Sequence, residues 1–306
     1  MYRDMGKIYN DLVAHIPVNQ VLRNEPMKNH TSFKIGGPAD IVVIPSRVEH
    51  IRHIMVTCQK WSIPFLIMGN GSNLLVRDKG IRGVVIKMSG LFNQIWVEGT
   101  CIRAQSGTLL SVLAKKALQA GLAGLEFASG IPGTLGGAVA MNAGAYGGEM
   151  KDVVDWVQVM DYGGEIYNFN RDELQFGYRT SYIQGKPFVV IEVNLSLKPG
   201  DPEESRALIN ELARRRRDKQ PLSLPSAGSV FKRPEGYYAG KLIESAGLKG
   251  FRIGDAQVSE KHAGFIVNLG EATAKDVIML IEIIKQRVKE FTGVELEQEI
   301  RIVGEE

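Results

Sequence analysis

The sequence predicts an α+β protein in three parts, and three observations carry that prediction. Strand-like and helix-like stretches alternate through the first two-thirds of the chain. Between residues 153 and 197 strand-like segments come in a run, which favours an α+β unit over a doubly wound sheet. Beyond a polar stretch at 198–204, which carries Pro199 and Pro202 and reads as a linker, the pattern changes to longer helices with short strands between them. The parts expected are 1–92, joined by 297–306, then 93–204, then 205–296.

Each element has its own local reason. Residues 39–45 form a β-branched run and read as a strand. Ser46 and Glu49 have capping-box spacing ahead of Val48, Ile51, Met55 and Cys58, so a helix is expected there. The next strand, 64–68, ends in Gly69, Asn70, Gly71, Ser72 and Asn73, and strands at 74–76 and 84–87 follow. Strands at 95–97 and 102–104 lead to a helix over 108–120 that Gly121 closes. The second part continues with strands at 153–161, 165–168 and 188–197. The last third is expected to hold helices at 205–219, 238–246 and 274–291, strands near 228–231, 256–258 and 265–268, and a final strand at 297–303. Val277, Leu280, Ile281, Ile284, Val288 and Phe291 fall on one face of the last helix and read as core.

Composition excludes several classes of function. With 306 residues, 44% hydrophobic and 23% charged, the chain can bury a large core, which rules out disorder as its main state. Thirty-seven basic against 34 acidic residues leave +3, so no global field draws the molecule to nucleic acid or a membrane; the one basic run is Arg214 to Arg217. Cys58 and Cys101 stand apart and the histidines form no ligand-spaced cluster with them, so neither a disulfide framework nor a zinc site is expected. The start, MYRDMGKIYNDLVAHIP, has no apolar signal-like core, and no later stretch reaches the roughly 20 apolar residues that span a bilayer. A cytoplasmic monomer without metal, membrane or nucleic-acid partner is expected.

Glycine is the informative excess: 34 residues, about 11% against a background near 7%, gathered in a few loops. Such clusters let backbone approach something closely or take positive φ. No GxGxxG follows the first strand, which argues against the ordinary dinucleotide fold. The loop 69–73 can present several N–H donors to a phosphate, although a generic turn explains it as well. In the second loop, 129–138, Pro132 suits a first helical turn, and the small residues Gly133, Gly136, Gly137 and Ala138 leave a face bare for a flat ligand or a diphosphate. Close packing of helix on strand is the competing account.

Six blocks in one order, NHTSFKIGGPAD (29–40), GNGSNLLV (69–76), IPGTLGGAVAMNAGAYG (131–147), FGYRTS (176–181), AGSVFKRP (227–234) and LEQEIRIVG (296–304), resemble those of the UDP-N-acetylenolpyruvoylglucosamine reductases, the MurB family of flavoenzymes. The span after FGYRTS resembles the subtype lacking an extra tyrosine-bearing loop. The resemblance implies a two-part FAD-binding region of the vanillyl-alcohol-oxidase (PCMH) type and a C-terminal substrate domain. It also implies non-covalent FAD, NADPH as co-substrate, and a UDP-sugar whose enolpyruvyl group is reduced to give UDP-N-acetylmuramate for peptidoglycan.

By the same resemblance Arg179, Ser229 and Glu299 are the catalytic residues. Hydride addition to the β-carbon of an enolpyruvyl ether leaves negative charge at the α-carbon and its carboxylate, which calls for a preplaced cation and donors. Arg179 supplies the charge, Ser229 the proton, and Glu299, protonated in a dry site, polarises the carboxylate. Gly69 to Asn73, Gly130, Ile131, Pro132, Gly133, Gly136, Gly137, Ala138 and Arg301 are the cofactor contacts expected. Lys219 with Arg215 is expected at the diphosphate, and Lys232, Tyr178 and Tyr146 near the substrate; Arg233 stands where asparagine is frequent. Without the resemblance Arg179 and Glu299 would read as surface ion-pair residues and Ser229 as a turn residue. The rivals are another PCMH-type flavin oxidoreductase acting on an alcohol or sugar acid, and a non-catalytic nucleotide or nucleic-acid binder using the basic run.

Overall fold

The computed structural model describes residues 5–306, so the first four residues of the amphipathic N-terminal stretch lie outside the described residues. Two compact units emerge. The first holds the described residues up to Arg23, Ile41–Asn70 and Gly83–Arg215; the second holds Asn24–Asp40, Gly71–Arg82 and Arg216–Glu306.

In the first unit helix α1 (Met5–Val13) buries Ile8 and Leu12 against Ile51, Ile54, Met55 and Cys58 of α2 (Val48–Lys60). That is the burial the 3.6-residue period asks for. The expected capping box at its start does not form. Arg47 is the N-cap and gives no side-chain cap, while the Ser46 N–H and hydroxyl face His50 Nδ1 at 3.4 Å, so a neighbouring ring takes the serine that spacing had assigned to the backbone. Strand Phe65–Met68 runs parallel to Ile81–Lys87, Phe65 opposite Val84 and Met68 opposite Lys87.

A five-stranded antiparallel sheet follows, in the order Ile166–Asn170, Val154–Asp161, Phe188–Ser196, Cys101–Gln105, Ile95–Glu98. Leu110, Leu113, Ala114 and Ala117 of α3 (Leu110–Gln119) and Leu135, Ala138 and Val139 of α4 (Leu135–Ala140) join its Val157, Val159, Val193 and Leu195 in one core. Gly121 takes φ +66° just past α3, as its closing position requires.

The linker expected at 198–204 is structured instead. Lys198–Pro199 pairs with Leu122–Ala123, and α5 (Pro202–Lys219) starts inside it. Proline is suited to the first helical position, Glu203 and Glu204 complement the positive end of the helix, and Asp201 Oδ1 accepts the Glu203 N–H at 2.8 Å. The composition that looked like a spacer is a helix start.

The second unit is built on α6 (Ala239–Ser245), α7 (Ala274–Thr292), the antiparallel strands Arg252–Ile253, Ala256–Val258 and Ile266–Asn268, and the parallel pair Leu74–Val76 with Arg301–Val303. Thr273 and Asp276 form a reciprocal capping box on α7, and Asp78 accepts the N–H groups of Ala274 and Lys275 at 2.8 and 3.1 Å. Val277, Leu280, Ile281, Ile284 and Val288 are buried as expected. Phe291 is not: it is 67% exposed, because the stripe continues in sequence after the core beneath it has ended, two residues before Gly293 terminates the helix at φ +72°. The strand expected near 228–231 is reduced to single bridges, and the last strand is only Arg301–Val303. Among the described residues no helix is long and apolar enough to cross a membrane, and no group of histidine, cysteine and acidic side chains has metal-binding geometry.

Candidate active site

In the first unit the loop that follows strand Phe65–Met68 meets the loop 129–138. A Cβ on Gly69 would fall 2.1 Å from Thr134 Oγ1, so only glycine permits the approach, and Asn70 Nδ2 donates to the Pro132 carbonyl at 2.9 Å. Pro132 therefore precedes the helix, with Thr134 as N-cap of α4, and does not occupy its first turn. Gly136 serves packing: a Cβ there would lie 2.8 Å from Ser106 Cβ, and its N–H donates to the Ser106 carbonyl at 2.8 Å. On Gly137 a Cβ would meet nothing nearer than 3.6 Å.

Three buried hydroxyls, Ser106, Thr108 and Thr134, have no hydrogen-bond partner among the described residues. Buried polar atoms are nearly always satisfied, so three orphans on adjoining segments beside a glycine loop mark a surface made for polar atoms of something else. The segments adjoin because Leu135 N–H donates to Thr108 and Gly136 N–H to Ser106. A ligand bearing phosphate and hydroxyl groups, as FAD does, fits that need.

Arg179 stands in a closed turn: Gly177 N–H donates to Thr180 O at 3.0 Å and Thr180 N–H returns to Gly177 O at 3.4 Å. Its guanidinium lies 5.1 Å from the Tyr178 ring centroid and donates to Gly144 O at 3.4 Å. Tyr178 and Tyr146 are 49% and 45% exposed, so neither is a core aromatic. Arg215, on α5, pairs with Glu211 one turn earlier.

In the second unit Ser229 and Glu299, 70 residues apart in sequence, come together through backbone pairing. Ser229 bridges Phe265, Phe231 bridges Gln298, and Glu299 N–H donates at 2.8 Å to the carbonyl of Val230, the residue after the serine. Both side chains are half-buried. Asn73 reaches the same place: its Nδ2 donates to Glu299 O at 3.2 Å and its carbonyl accepts Arg301 N–H at 3.0 Å. The side chain of Asn73 is thus engaged, while the N–H groups of Gly71, Ser72 and Asn73 have no acceptor among the described residues. Lys232 Nζ pairs with Glu297 from the LEQE block, Arg233 stacks on Tyr238 at 4.1 Å, and Lys219 is exposed at the end of α5. Sequence reasoning did not single out the orphan hydroxyls Ser106 and Thr108 or the buried Asn142. Serine, threonine and asparagine carry no spacing signal, and their burial is a property of the fold.

Residues 220–303 match the family model described as UDP-N-acetylenolpyruvoylglucosamine reductase, C-terminal domain, and 39–170 match the FAD binding domain model. A UDP-N-acetylenolpyruvoylglucosamine reductase of Alkaliphilus oremlandii is 56% identical over 303 residues, 99% of this chain and 100% of its own. That of Clostridioides difficile is 51% identical over 98% of each chain. The crystal structure of the reductase from Thermus caldophilus superposes with a TM-score of 0.79 at 38% identity, over 93% of this chain and 98% of that one. Phl p 4, a grass pollen allergen with glucose dehydrogenase activity, shares the fold alone, with a TM-score of 0.51 at 16% identity over 92% of this chain and 58% of its own.

Proposed function

This chain belongs to the UDP-N-acetylenolpyruvoylglucosamine reductase family, and from that premise we propose that Arg179, Ser229 and Glu299 carry its reaction. The enzyme is an FAD-dependent oxidoreductase of peptidoglycan synthesis that converts the enolpyruvyl ether of a UDP-sugar into UDP-N-acetylmuramate, with NADPH as co-substrate. When bound, FAD would supply the hydride chemistry that reduces the enolpyruvyl group, with NADPH as the reductant. The remaining chemistry belongs to side chains.

Reduction at the β-carbon puts negative charge on the α-carbon and its carboxylate, and a group that stabilises it must already be in place. Arg179 provides a fixed positive charge with a planar fork of donors that fits a carboxylate. Glu299, in its protonated form, donates a hydrogen bond that polarises that carboxylate, and Ser229 delivers the proton to the α-carbon from its hydroxyl. Lys219 and Arg215 bind the diphosphate, and Lys232, Tyr178 and Tyr146 contribute to substrate binding. In this reading 1–92 with 297–306, and 93–204, hold the cofactor through Gly69 to Asn73, Gly130 to Gly133, Gly136 to Ala138 and Arg301. Residues 205–296 hold the UDP-sugar. The setting is the cytoplasm, as a monomer with no nucleic-acid partner, and the near-balanced charge supports that absence.

The observation that supports these roles most is the backbone bond from Glu299 to the residue beside Ser229. Rapid-mixing kinetics test them. In Ser229→Ala, NADPH should bleach the flavin at the wild-type rate, while reoxidation by the enolpyruvyl substrate should slow by about 100-fold or more. Reoxidation at the wild-type rate would remove the proton-donor role.

A further inference from the structure

The catalytic role proposed for Arg179 leaves a question of conformation. Arg179 has φ +57°, a left-handed backbone that a residue with a Cβ avoids, so its surroundings must hold it there. They do so through residues that take no part in the chemistry above.

Asn142 is 1% exposed and itself at φ +41°. Its Nδ2 donates to Gly177 O at 2.9 Å, at the start of the turn carrying Arg179, and to Glu149 Oε2 at 2.9 Å; its Oδ1 accepts the Lys151 N–H at 3.0 Å. Both amide hydrogens and the oxygen are committed, which fixes the amide's orientation. Gly144 and Glu149 are paired ends of a short hairpin, so one small element offers the carbonyl that Arg179 donates to and the carboxylate that Asn142 binds. A second tie, from Ser181 Oγ to Ala140 O at 3.0 Å, anchors the far side of the turn.

We infer that Asn142 and Glu149 are positioning residues for Arg179: the amide locks the turn to the hairpin, and the carboxylate provides the counter-charge that keeps the guanidinium aimed before substrate arrives. The inference rests on the role proposed for Arg179. Glu149 is suited to this. Against the opposing effect of burial, the Lys151 ammonium 3.0 Å away, the Asn142 amide and the nearby Arg179 charge hold its carboxyl below the ordinary value of 4.5, so it is ionised at neutral pH. A guanidinium held in advance needs no reorganisation when charge develops on the substrate, and one left to its own rotamers does.

A double-mutant cycle read on separate half-reactions tests this. Glu149→Gln keeps the shape and removes the charge; it should slow reoxidation by the enolpyruvyl substrate about tenfold while NADPH still bleaches the flavin normally. In an Arg179→Ala background the same change should alter reoxidation by less than about twofold. If Glu149→Gln is as costly with Arg179 absent as with it present, or has no effect with it present, the positioning role falls. If Arg179→Ala alone reoxidises at the wild-type rate, the catalytic assignment of Arg179 falls, which is a separate result. Asn142→Asp, which keeps the shape and loses both donors, should behave as Glu149→Gln does. Should it fail to fold, the Glu149 cycle decides the matter alone.

Discussion

Gly69 shows what a single residue contributes and how much of that contribution its own sequence conceals. The glycines of the loop 69–73 stand out in sequence, yet the reason for Gly69 is Thr134, 65 positions away, whose hydroxyl would sit 2.1 Å from an added Cβ. Gly69→Ala must push the two loops apart, and purified protein should carry well under half the wild-type flavin per chain, measured by absorbance after denaturation. Removing the obstruction tests the cause. In Gly69→Ala with Thr134→Ala the 2.1 Å contact to Oγ1 disappears and the next approach is 3.3 Å, to Thr134 Cβ, so flavin content should recover in part. Failure of the double variant to regain any flavin would mean that Thr134 is needed for itself, consistent with its orphaned hydroxyl. Chain-distant contacts of this kind explain why the catalytic candidates were legible only through the resemblance of whole blocks. Ser229 and Glu299 meet by backbone pairing that nothing local in either segment encodes.

Elements were read more faithfully than their ends. Helix α7 was visible from its apolar period, and five of the six stripe residues are buried, whereas Phe291 is exposed because periodicity cannot report where a core stops. Capping was misread in the same way: Ser46 and Glu49 have the spacing but the serine faces His50, while Thr273 and Asp276 form the box that caps α7. The cap and the exposed end of α7 give different expectations under urea. Thr273→Ala should lower unfolding free energy by about 1 kcal/mol, since it frees the Asp276 N–H at a helix start, and Phe291→Ser should change it by less than about 0.5 kcal/mol. On α5, Lys219→Ala should raise the KM for the UDP-sugar severalfold with little change in kcat, as expected when a diphosphate contact made equally in ground and transition states is lost. An unchanged KM would detach Lys219 from the substrate.

At the scale of the whole molecule, the chain passes between its two compact units at 23/24, 40/41, 70/71, 82/83 and 215/216, and no composition shift marks the first four of those passages. Stability against acid is a property to which both units contribute, and its sign follows from two histidines. Burial lowers His50 in the first unit and His262 in the second below the ordinary value of 6.5; around His262, Glu244 pulls the other way and Lys249 adds to the lowering. Above pH 6.5 these imidazoles are neutral in folded and unfolded chains alike, and their burial sets no charge against the fold. Below it the unfolded chain takes up protons that the folded one refuses, so unfolding becomes easier as pH falls. Glu149, held below 4.5, adds to the loss only at still lower pH, and Glu192, raised by burial, acts in the opposite sense above 4.5. The difference between variants is therefore the quantity to read. Wild-type Tm should be level from pH 8 to about 6.5 and then decline, and His262→Gln, which cannot take up a proton, should decline less steeply over the same range. Its own Tm at pH 8 is immaterial, because the slope carries the argument. Parallel slopes for the two proteins would show that His262 titrates alike in both states and that its burial has no electrostatic consequence.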